Sequence, residues 1–130
     1  MANSSTLTSS VERRNVEPNI KQVWERVITY LVEADGGATE MKEVIPINGI
    51  LQKIIVKVGD AAGVSATVNV AIDDNGDNEI FAVTGLAENS TYKYDVNEPV
   101  SGSIDVGMNP SDDPAAGNID WPVVVTLRGI

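Results

Sequence analysis

The sequence predicts an all-β protein: an antiparallel β-sandwich of about eight strands, jelly-roll-like, with an extended N-terminal arm. Three observations predict it. From Val23 onward, apolar residues recur at every second position, the period of a half-buried strand. Turn signals punctuate the chain roughly every 8–14 residues, the rhythm of a sandwich or barrel. Hydrophobic residues make up 42% of 130, enough for one core without disulfide or metal staples.

The arm spans residues 1–22 and the sandwich domain residues 23–130. The arm is rich in Ser, Thr, Asn and charge, with Leu7, Val11, Val16 and Ile20 thinly spread and Pro18 breaking any helical spacing. A segment of this composition does not order alone. It is expected to be tethered by a partner chain or a neighbouring copy rather than by its own domain.

The first strand of the domain is Val23–Val32, with Trp24, Arg26 and Ile28 on one side and Val27, Thr29 and Leu31 on the other. Asp35-Gly36-Gly37 reads as a turn. Thr39–Ile47 follows, and Asn48-Gly49 is the strongest two-residue turn signal. Ile50–Val58 is β-branched and reads as a central strand. In Val64–Ile72, Val64, Ala66, Val68, Val70 and Ile72 alternate with smaller or polar residues. Ile80–Thr84, Thr91–Val96 and Val100–Val106 are shorter strands, and Gly107–Asp120 is a long loop. Trp121–Leu127 closes the domain, with Pro122 suggesting an edge position.

Composition narrows the function. With nine Lys+Arg against nineteen Asp+Glu, the net charge is −10. Phosphate recognition needs clustered cations, so nucleic acid and anionic membrane surfaces are not expected partners. The absence of Cys removes thiolate chemistry and disulfides, and the absence of His removes the commonest general base and metal ligand. No apolar run approaches the ~20 residues of a membrane span. Met1–Ser10 lacks the basic and apolar regions of a signal peptide, so a soluble product made in the cytoplasm is expected. The chain is read as non-enzymatic, with no cofactor and no metal.

Two acidic clusters stand out. Asp73, Asn75, Asp77 and Glu79 offer alternating oxygen ligands, but the run lacks the glycine and glutamate spacing of an EF-hand. A hairpin loop is the favoured reading, with calcium as the alternative. Asp105, Asp112, Asp113 and Asp120 surround the long loop and contain the sole candidate for a catalytic carboxylate pair. A solvated or partner-contacting loop is preferred there, because aromatic platforms for sugar are scarce. Lys53 and Lys57 share one face of their strand and suit solubility or an acidic neighbour. Arg13 and Arg14 can pair bidentately with carboxylates. With Lys21 and Trp24, they are the candidate partner-binding residues. A trimer interface is also expected to cover Trp24 and Tyr30.

The stretches Gly49–Val58 (GILQKIIVKV), Ala66–Asp77 (ATVNVAIDDNGD), Leu86–Tyr94 (LAENSTYKY) and Val123–Leu127 (VVVTL) follow the polar arm in an acidic, Cys-free body. In this layout the chain resembles small structural proteins of tailed bacteriophages, especially capsid decoration or cement proteins. The resemblance covers about residues 45–130. It implies a virion protein on the capsid exterior that binds the major capsid protein, often as a homotrimer, with the arm contacting capsid subunits or neighbouring copies. The acidic body departs from relatives with basic bodies. That leaves a tail, neck or fibre-base role open. A calcium-dependent carbohydrate-binding sandwich is the reading from a different class.

Overall fold

The computed structural model describes residues 3–13, 23–33, 40–61, 65–112, 114 and 120–130. The expected turn at Asp35-Gly36-Gly37, the start of the Val64 strand, and Asp113 lie outside the described residues. Among the described residues, nine strands form two antiparallel sheets. They are β1 (Ser4–Arg13), β2 (Val23–Glu33), β3 (Met41–Pro46), β4 (Gly49–Val58), β5 (Thr67–Asp73), β6 (Glu79–Ala87), β7 (Ser90–Val100), β8 (Ser103–Pro110) and β9 (Asp120–Gly129).

Sheet A has the order β1-β2-β9-β4-β7, and sheet B the order β3-β8-β5-β6. Without β1, each sheet has four strands, and successive strands from β2 to β7 alternate between the sheets except at the β5–β6 hairpin. This is a jelly roll. Its edges are β1 and β7 in sheet A, and β3 and β6 in sheet B.

Period-two patterning explains which side of each strand is inside. In β2, Trp24, Arg26, Ile28, Tyr30 and Val32 are all buried, and the intervening residues are half-buried. In β5, Val68, Val70 and Ile72 turn inward, as do Val123, Val125 and Leu127 in β9. The core is filled by Trp121, Tyr30, Ile28, Ile45, Ile54, Ile72, Ile104 and Met108, none of them with measurable exposure. Each such side chain contributes about 1.5–3 kcal/mol of burial. Phe81 and Tyr94 meet edge-to-face at 5.1 Å between ring centroids, linking β6 of one sheet to β7 of the other.

Several expectations change. Ser4–Arg13 of the arm is a strand, paired antiparallel with β2 of its own domain from Ser4↔Leu31 to Arg13↔Val23. Leu7 packs against the core, and a bulge between Leu7 and Ser9 lets Thr8 donate to the Val27 carbonyl oxygen at 3.0 Å. Asn48-Gly49 does not close a hairpin. β3 and β4 belong to different sheets, and the turn is a corner in which Asn48 Oδ1 accepts from Gly102 N at 2.9 Å.

Pro122 does not mark an edge, because β9 lies between β2 and β4. Its position near the start of β9 resolves the conflict. β4 ends opposite Val123, and the Pro122 carbonyl oxygen accepts from Gly59 N at 2.9 Å, so the missing proline N–H interrupts little of the ladder.

Candidate functional site

Arg14 and Lys21 lie outside the described residues, and of Arg13 only the backbone pairing is described. Trp24 is 5% exposed, and Tyr30 is fully buried. Neither presents its ring to a partner. Period two places Trp24 on the side of Ile28, and that side turns out to be the core. The Trp24 indole N–H donates to the Ile130 carbonyl oxygen at 3.3 Å, and the Arg26 guanidinium lies 5.8 Å from its ring centroid. Gly129 lies beneath the ring: a Cβ there would come within 2.4 Å of Trp24 Cζ2. Trp24 thus anchors the C-terminal strand to β2.

The Asp73–Glu79 segment is a hairpin between β5 and β6. Asp74 organises it. Its Oδ1 accepts from Gly76 N and Asn78 N, both at 2.9 Å, and from Asn78 Nδ2 at 3.1 Å. These bonds, the Asn78 backbone N–H foremost, hold the Asp74 carboxyl below its ordinary pKa. Asp77 takes a positive φ of 61° to complete the turn. The carboxylate is therefore already committed to N–H donors. Among the described residues, no group of three His, Cys, Asp or Glu is placed to hold a metal ion.

Beside this hairpin is an open, polar cavity of about 330 Å³, lined by Asp74, Asn75, Gly76, Asn78, Pro99, Val100 and Ser101. Ser103 Oγ donates to Oδ1 of Asn75, one of the lining residues, at 3.1 Å. The lining has no aromatic ring on which a sugar could stack.

The outer face of sheet A spans five strands. Cross-strand registers set its rows. One runs Glu25, Arg128, Lys53, Asp95. In it, Arg128 Nε and Glu25 Oε2 are 2.7 Å apart, and Lys53 Nζ and Asp95 Oδ1 are 3.0 Å apart. The next row is Val27, Thr126, Ile55, Lys93, and the third is Thr29, Val124, Lys57, Thr91. Leu31 and Pro122 begin a fourth. Val27, Ile55 and Val124 are half-buried by their neighbours. Lys57 and Lys93 have no ion-pair partner among the described residues. The shared face of Lys53 and Lys57 is as the alternation predicts.

The outer face of sheet B has the opposite character. Its central row is Val44, Asp105, Asp73, Glu79, with Asp73 directly opposite Asp105. Asp105 lies in a strand, as expected, whereas the expected loop Gly107–Asp120 is shorter: β8 continues to Pro110, and Asp120 begins β9. The adjacent row is Lys42, Gly107, Ala71, Ala82. Lys42 pairs with Glu40 at 3.4 Å. That contact, with the Glu40, Asp73 and Asp105 charges, raises the Lys42 pKa. Val44 is 59% exposed. The three carboxylates of this row lie on β8, β5 and β6, and only the register brings them side by side.

No family model matches the chain, and no curated protein does. Solved structures do. A chain of the Bacillus endospore appendages, which form a family of disulfide-linked pili, is 13% identical, with a TM-score of 0.51 over 95% of this chain and 92% of that one. The Yersinia pseudotuberculosis-derived mitogen is 9% identical, with a TM-score of 0.43 over 82% and 86%. The VP2 subviral particle of infectious bursal disease virus is 11% identical, with a TM-score of 0.42 over 92% of this chain and 37% of that one. The likeness is one of fold. At full length and with a shared architecture, the appendage chain fits the two-sheet sandwich derived above.

Proposed function

We propose that this chain is a non-enzymatic structural protein of a virus particle. In this reading it binds the outer surface of the capsid and cements the shell. Its partners are the major capsid protein and neighbouring copies in a homotrimer, with arm residues 1–22 contacting either.

One observation carries the proposal. The fold devotes its exposed regular structure to two broad sheet faces and an added edge strand from the arm, and its polar cavity lacks a stacking platform. Broad faces serve protein contacts, whereas small-molecule sites are concave and mostly apolar. Modest contacts repeated over a lattice sum to high avidity. The same sandwich architecture occurs in a pilus subunit, which supports an assembly role without choosing the assembly. That appendage is disulfide-linked, and these 130 residues contain no cysteine, so contacts made through them are not disulfides.

Adding the purified chain to source capsids that lack it tests the reading. The chain should co-sediment with the shells to saturation and raise the temperature at which they release their contents. Shells that bind none of it contradict the proposal.

A further inference from the structure

The two outer faces differ in charge, and the difference has a direction. Across β2, β9, β4 and β7, three rows of the sheet A face carry four cations against two carboxylates, and the Glu33↔Asp120 pair adds two carboxylates at the end of the face; Lys57 and Lys93 are the cations whose own rows hold no carboxylate. The sheet B face with Glu40 carries four carboxylates against Lys42 alone. This is notable in a chain with only nine cations in all. Placing Asp73 opposite Asp105, with Glu79 beyond, costs local stability, since like charges directly opposite repel. A fold that accepts such a row gains from any cationic surface laid upon it.

We infer that copies of this chain stack face to back, the outer face of sheet A on one copy seating against the outer face of sheet B on the next. Lys57 and Lys93 meet the row of Asp105, Asp73 and Glu79. The half-buried side chains of Val27, Ile55 and Val124 give the contact an apolar floor, and exposed Val44 is the matching apolar group opposite. The occupant of each face is therefore a second copy of the chain.

Strand spacing and rise make the sheet A face about 24 by 23 Å, or roughly 550 Å² per partner. A standard interface buries about 800 Å² per partner, so this contact belongs to the weak, concentration-dependent class. The charge of −10 opposes association at long range. At 0.1 M salt the screening length is about 10 Å, so charges on the far side of the sandwich contribute little to a contact at ion-pair distance. The contact is heterologous: it closes into a ring if the rotation between copies permits, and propagates otherwise.

Charge reversal with complementation tests this on the full chain. One variant carries Lys57→Glu and Lys93→Glu. The other carries Asp105→Lys and Glu79→Lys, which leaves Asp73 between two lysines, a more favourable row for folding than the native one. Sedimentation velocity follows each alone and as an equimolar mixture, from micromolar to millimolar protein, and circular dichroism checks the fold. The wild-type chain should self-associate at 0.1 M salt and lose at least tenfold in affinity at 1 M. Each variant alone should lose the salt-sensitive association seen for wild type, and the mixture should recover it, because each variant's reversed face finds its complement on the other. A wild-type chain that is monomeric throughout overturns the inference, as do variants that associate like wild type or a mixture that stays monomeric. The salt series on wild type stands even if one variant fails to fold. None of these results touches capsid binding, which is read separately by co-sedimentation.

Discussion

The phenol of Tyr30 in β2 donates to the carbonyl oxygen of Val106 in β8 at 2.5 Å, a hydrogen bond that crosses the core from sheet A to sheet B. The two residues are 76 positions apart in sequence. The bond satisfies a polar group that burial would otherwise leave unpaired. Burial, with the nearby Glu43 and Glu40 charges, raises the Tyr30 pKa well above its ordinary 10.0.

That relationship predicts an alkaline limit to stability. Below pH 10, Tyr30 is protonated in both folded and unfolded chains, and its contribution is complete. As the pH rises past 10, the unfolded chain releases the proton and the folded chain retains it, so stability falls until the raised folded value is reached. Urea denaturation from pH 8 to 11 should show this fall. Tyr30→Phe should flatten it and cost about 1–3 kcal/mol at pH 7, since the Val106 carbonyl loses its donor. An equal slope in the variant contradicts the assignment.

Gly129 should tolerate no side chain. A Cβ there would lie 2.0 Å from the Ile50 carbonyl oxygen and 2.4 Å from the Trp24 ring, and both neighbours are held by surrounding contacts. Gly129→Ala is expected to cost about 3 kcal/mol or more by overpacking. Gly76→Ala, whose nearest neighbour would be the flexible Asn78 side chain at 3.1 Å, should cost far less. Paired chemical denaturation measures both.

Calcium should leave the protein unchanged. The Asp74 carboxylate already accepts four hydrogen bonds within the hairpin, so millimolar calcium should not shift the melting temperature relative to EDTA. A rise of several degrees would revive the calcium-dependent binding module. Because its folded pKa is depressed, Asp74 contributes stability above about pH 4 and loses it as the pH falls further. Asp74→Ala should remove that acid-side contribution and speed amide exchange over Asn75–Asn78.

The arm is expected to separate binding from folding. Deleting residues 1–22 removes β1 and the Leu7 contact, and should lower the melting temperature by several degrees while leaving the β2–β9 jelly roll folded. Shell binding should be lost. Arg13→Ala with Arg14→Ala should leave stability within about 0.5 kcal/mol and reduce the salt sensitivity of shell binding. Unchanged salt dependence rules out an ion-pair role for them.

The sandwich was legible in the sequence because its signal is local. Val68, Val70 and Ile72, or Trp24, Ile28 and Tyr30, reveal a strand and its two sides without knowledge of any partner strand. Which side is the core was not legible in β2, because Val27 and Leu31 make the outer side apolar as well. That ambiguity made Trp24 look available to a partner. β1 was missed because Ser4–Arg13 has almost no apolar alternation, and its pairing with β2 depends on a ladder already in place. Pro122 suggested an edge because its distance from the last β4 rung is a matter of register. The Asp105–Asp73–Glu79 row lies on three different strands, and no spacing within one strand announces it.

A chain that cements a shell is present in the particle in fixed proportion to the shell protein. Quantitative mass spectrometry of purified particles from its source, measured against the most abundant shell protein, tests that directly. A ratio near one, or a simple fraction of it, is the predicted result. Complete absence from the particles, or only a few copies in each, contradicts a shell-wide cement.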